Sequence, residues 1–99
     1  MATPLNNQEI RKLKALAQHL EPIVHLGREG VTDSLIEALK TALAEHELVK
    51  LRFVGCKEQK KELAPLIAEK SDSTFVTRVG NVAVYFRASD DPSRPRILG

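Results

Sequence analysis

From His25 to Val31 the chain reads His-Leu-Gly-Arg-Glu-Gly-Val, two glycines three apart with an arginine and a glutamate between them. Glycines so placed can do one of two things. They can supply unusual backbone angles where a strand turns into a helix. Or they can clear side chains away, so that phosphate oxygens reach backbone N–H groups at a helix N-terminus. In the second case Arg28 pairs with the same anion. Further along, "KLRFVGCKEQKK" (50–61) sets Lys50, Arg52, Lys57, Lys60 and Lys61 against the single acid Glu58. Lys57, Lys60 and Lys61 crowd the expected start of a helix, where each exposed cation opposes the dipole by roughly 0.3–1 kcal/mol. Such a run is either a solvated face or the seat of a polyanion.

Other chemistries find less support. There is no Walker lysine and no third glycine of a dinucleotide fingerprint, so nucleotide binding is not expected. His19, His25 and His46 stand on separate elements without metal-ligand spacing, and no carboxylate pair suggests an acid–base dyad. Cys56 is the lone cysteine. It reads either as a thiolate activated by Lys57 or as a small, partly buried thiol. No catalytic residue, cofactor or metal is therefore expected. Net charge is only +2, but residues 1–49 carry −2 and residues 50–99 carry +4. The basic surplus is local, which is the form an electrostatic footprint takes on a nearly neutral protein.

The elements that must hold these residues alternate along the chain. Ile10, Leu13, Leu16, Ala17 and Leu20 recur at helical spacing behind Asn6 or Asn7 as cap, and Glu21-Pro22 ends that helix. "IVHL" (23–26) is a short strand. Thr32 caps a second helix with the apolar stripe Leu35, Ile36, Leu39, Ala42 and Leu43. "ELVKLRFV" (47–54) alternates as a strand with one buried face, Val49, Leu51 and Phe53 inward and Leu48, Lys50 and Arg52 outward. Residues 57–70 are helical in composition, with a kink or break expected at Pro65. Two strands flank the tight-turn signal Gly80-Asn81; Val82, Val84 and Phe86 look buried, leaving Tyr85 and Arg87 on the other face. There Lys50, Arg52, Arg78 and Arg87 extend the cationic surface, and Tyr85 could stack on a base or be an ordinary strand tyrosine.

The order α-β-α-β-α-β-β predicts an α/β (α+β) two-layer fold, a small four-stranded mixed sheet packed on helices. The β-α-β unit joins its strands in parallel, so both exit at one edge, where ligands of open α/β sheets bind. Ninety-nine residues make one domain, here 1–88, followed by a turn-rich tail, 89–99, expected to be flexible. No apolar run reaches the roughly 20 residues of a spanning helix, and the N-terminus lacks the features of a secretory or transit peptide. A cytoplasmic monomer that does not meet a membrane is expected.

"VHLGREGVTDSLIEALKTALAEHELVKLRF", "GCKEQK" and "VTRVGNVAVYFR" together resemble the CRM domain family, named for chloroplast RNA splicing and ribosome maturation, in its stand-alone bacterial YhbY-like form. The likeness runs from the first helix to Arg87. It implies a fold similar to the C-terminal domain of the third bacterial initiation factor. It also implies RNA binding, with ribosomal RNA in precursors of the large ribosomal subunit as the partner during assembly. The family's GxxG contact falls on Gly27, Arg28, Glu29 and Gly30, with Thr32 at the following helix start. Glu29 departs from the basic or neutral residues of such loops, since a carboxylate repels phosphate unless it turns away or pairs with Arg28. The alternative is a non-catalytic protein–protein adaptor using the sheet face or the tail.

Overall fold

The computed structural model describes residues 6–55 and 59–87, the side chain of Lys60 excepted. Seven elements follow in the expected order: α1 (Asn7–Ala17), β1 (Val24–Leu26), α2 (Asp33–His46), β2 (Leu48–Phe53), α3 (Lys60–Lys70), β3 (Thr74–Val79) and β4 (Val82–Phe86). Cys56, Lys57 and the tail 89–99 lie outside the described residues.

Local chemistry explains where the helices begin. Asn6 closes a capping box, its Oδ1 accepting from the Glu9 amide at 2.8 Å while its own amide donates to Glu9 Oε1 at 3.1 Å. Thr32 Oγ1 accepts from the Leu35 amide at 3.1 Å and starts α2. α3 runs through Pro65 as one helix, so the break into two pieces does not occur. Pro65 is exposed, so its ring projects into solvent and the loss is confined to one hydrogen bond near the helix start.

The sheet is mixed, in the order β1-β2-β4-β3, with β1 parallel to β2 and the other pairs antiparallel. Gly80 and Asn81 form the two-residue loop of the β3–β4 hairpin. Gly80 has φ +58°, the left-handed angle a II′ turn asks of its first central residue. α2 and α3 cover one face. There the α2 stripe Leu35, Ile36, Leu39, Ala42 and Leu43 joins Ala64 and Ile67 over Val49, Leu51, Phe53 and Ala83. α1 covers only part of the other face, where Leu13 and Ala17 pack on Leu48, Val76, Val84 and Phe86.

Helix cover on the two faces changes three assignments. Leu48 is buried beneath α1, although alternation set it outward with Lys50 and Arg52. Leu16, expected in the stripe of the first helix, is 39% exposed because α1 reaches the sheet with Leu13 and Ala17 instead. Leu20, also 39% exposed, lies beyond α1, which ends at Ala17 rather than at Glu21-Pro22. Tyr85 is fully buried on the α2–α3 face. Its hydroxyl donates to the Ala64 carbonyl at 2.9 Å, and its ring lies 5.9 Å from that of Phe75. Both sheet faces are buried at that point, so a strand residue has no wet side to take.

Candidate nucleic-acid interface

Parallel pairing sends β1 and β2 out of the sheet at the same edge, Leu26 beside Phe53. The amides of Val54 and Gly55 both donate to the Leu26 carbonyl, at 2.8 and 3.0 Å, which ties the second exit to the first. Gly55 is the tightest point. A Cβ there would stand 2.6 Å from the Arg28 nitrogen and 2.7 Å from the Gly27 carbonyl carbon. Both are backbone atoms, so only glycine fits unless the 27–30 loop moves.

The loop itself is a tight turn. Gly30 N–H donates to the Gly27 carbonyl at 3.1 Å, leaving Arg28 and Glu29 exposed at the tip. The two glycines differ in cause. Gly30 has φ +75°, a conformation L side chains rarely adopt. Gly27 has no such angle, and a Cβ there would meet nothing within 4 Å. The second glycine serves the backbone; the first leaves open surface that the fold does not require.

Between this turn, β1 and the start of α2 lies a hollow of about 510 Å³, open to solvent, with Gly27, Arg28, Gly30, Thr32 and Ser34 on its walls. The positive end of the α2 dipole borders it, partly answered by Asp33 in the first turn. A third loop joins at the same edge. The Phe53 amide donates to the Asn81 carbonyl at 2.7 Å, bringing the β3–β4 hairpin beside the β2 exit. Arg78 Nη1 donates to the Gly80 carbonyl at 3.0 Å, which holds its guanidinium at the hairpin tip. Lys61 is exposed in the first turn of α3.

The edge therefore gathers the N-terminus of α2, Arg28, Arg78 and Lys61, a set suited to anion recognition. No group of three or more metal-ligating side chains occurs among the described residues. A model of the CRS1/YhbY (CRM) domain matches residues 5–87. The chain belongs to that family.

Two relatives span nearly the same length. One from Haemophilus influenzae, named an RNA-binding protein, is 32% identical over 90% of this chain and 91% of its own. One from Bacillus subtilis, named "Probable RNA-binding protein YqeI", is 33% identical over 88% of this chain and 92% of its own. Neither carries the name of an enzyme. A Staphylococcus aureus protein solved in solution shares the fold with a TM-score of 0.78 at 28% identity, covering 91% of this chain and 95% of its own.

The structure divides the residues that the sequence grouped together. Gly27, Arg28, Glu29, Gly30, Thr32, Lys61 and Arg78 lie around the common edge. Lys57 and the Lys60 side chain fall outside the described residues. Lys50 and Arg52 point to the α1 face, and Lys50 Nζ donates to the Leu20 carbonyl at 3.0 Å. Arg87 stands at the opposite end of the sheet, its amide bonded to the Glu47 carbonyl at 2.8 Å and its guanidinium 4.0 Å from Asp72. Tyr85 has no free face on which a base could stack, which corrects that reading. Sequence reasoning gave Gly55 no part in the site, and gave the Asn81 carbonyl none beyond a turn signal. A glycine directly after a strand was the available clue.

Proposed function

We propose that this CRM-domain protein is a non-catalytic, cytoplasmic RNA-binding protein that associates with ribosomal RNA in precursors of the large ribosomal subunit. The observation that carries the reading is the seating of Gly55 on the Arg28 backbone. It joins two strand exits into one ledge on which an arginine, open backbone and a helix N-terminus meet. Gly27, required by neither φ nor packing, supports the same reading, since the absence of a side chain lets a sugar–phosphate chain come close. The names of the relatives support RNA as the polyanion. The family resemblance supports the ribosomal precursor. Arg78 and Lys61 extend the ledge, and Lys57 and Lys60 extend it in sequence.

Salt titration tests this directly. Neutralising about four phosphates gives a log–log slope of affinity against salt near −3 for single-stranded RNA. Arg28→Ala combined with Lys57→Ala is expected to weaken binding and flatten that slope, with thermal unfolding unchanged. A flat response in the wild-type protein, or no RNA retained at low salt, would favour the adaptor reading.

A further inference from the structure

α1 leaves one strip of its sheet face bare, and that strip borders the ledge. The strand register sets it out residue by residue: His25 pairs with Arg52, Arg52 with Val82, and Val82 with Val79. Partners directly abreast share a face, so these four side chains form a single row across β1, β2, β4 and β3. Strand spacing makes the row about 14 Å long. It lies one residue inside the Leu26–Phe53 edge from which the 27–30 loop departs.

Its exposure is unlike that of its neighbours. His25 and Arg52 are exposed, Val82 is half-buried and Val79 is 73% exposed. Two residues further along β4, on the same face, Val84 is 3% exposed beneath α1. Arg52 makes no ion pair among the described residues. The row is thus half polar and half aliphatic, and borders the edge from which the turn carrying Arg28 departs.

We infer that this row is a shelf for unpaired nucleotides of the bound RNA. Phosphate meets Arg52 and the His25 edge, and an unstacked base lies against Val79 and Val82. This rests on the proposed RNA-binding function and names the form of RNA the site takes. The chemistry separates the two forms. A duplex turns its bases inward and offers mainly phosphate and ribose, which gain nothing from valine. A single strand offers apolar base faces, and sheet surfaces recognise RNA by receiving them. Here Phe53, Phe75 and Tyr85 pack on the α2–α3 side, and Phe86, on the shelf's own face, is buried beneath α1, so the shelf is aliphatic and its preference for single strands modest.

The test uses the full chain with two fluorescent probes, a single-stranded oligoribonucleotide of mixed sequence and a duplex of the same length. Val79→Ser with Val82→Ser is expected to lower single-strand affinity about tenfold without changing the salt slope, because no cation is removed, and to leave duplex affinity unchanged. Arg52→Gln is expected to lower affinity and flatten the slope by about 0.7. Amide resonances of His25, Arg52, Val79 and Val82 in the wild-type protein should shift with the single strand and stay still with the duplex, a readout independent of whether any variant folds. Wild-type affinity in the valine double variant, with those resonances unmoved by a single strand that does bind, overturns the shelf and leaves RNA binding at the ledge intact. Equal shifts with both probes also overturn it. Failure of the wild-type protein to bind either probe at low salt removes the underlying function as well.

Discussion

Val84 and Val82 are the same residue type on the same strand and the same face, yet one belongs to a core and the other to a surface. Leu13 and Ala17 of α1 seal the end of the sheet that holds Leu48, Val84 and Phe86. At the other end the strands finish in glycine-rich loops, and the row ending at Val79 stays open. The contrast separates stability from recognition. The sealed end removes apolar area from water, which is what stabilises a small domain. The open end leaves apolar and cationic groups in solvent, which costs stability and leaves them free for a partner.

The comparison breaks most sharply at Leu13. Leu13→Ala empties a fully buried site beneath α1 and should cost about 2–5 kcal/mol, read as a large fall in thermal midpoint. Val79→Ser, at the other end of the same face, should stay within about 0.5 kcal/mol. Equal losses would mean that α1 is not the seal.

Gly55→Ala probes the open end differently, because its Cβ would meet the Arg28 backbone. About 1–3 kcal/mol of stability should be lost as the 27–30 loop is displaced, together with RNA affinity. Chemical denaturation and binding measured on the same preparation would check the pair. A stable variant with wild-type affinity would separate Gly55 from the ledge.

A smaller loss than at Leu13 or Gly55 belongs to Tyr85→Phe, which removes the hydrogen bond to the Ala64 carbonyl and should cost about 1 kcal/mol. Burial also pushes the Tyr85 phenol above its ordinary value. Its contribution is fully present below the unfolded phenol's pKa of about 10. It is lost as pH rises from there toward the folded value, because the unfolded chain releases a proton that the buried hydroxyl keeps. Wild-type stability should therefore fall above about pH 10 more steeply than that of Tyr85→Phe. Parallel pH profiles would show that Tyr85 is not the group responsible.

Much of this molecule was legible before any coordinates, because the decisive interactions were local. The asparagine cap of α1, left open between Asn6 and Asn7, the Thr32 cap, the α2 stripe and the Gly80-Asn81 turn each involve residues only a few positions apart, so residue type and spacing suffice. The pairing of β1 with β2, and with it the shared edge, followed from the β-α-β order. What the chain order could not convey was coverage. Alternation along β2 and β4 assigns side chains to two faces but does not say how far α1 extends over one of them. That extent buried Leu48 and left Val82 half-buried and Val79 exposed, while α3 on the opposite face claimed the Tyr85 hydroxyl. Nor could spacing reveal that Gly55 must be glycine, since the atoms that crowd it belong to a loop remote in sequence. Periodicity and capping are properties of the chain; exposure is a property of what lies across from it, and only packing decides that.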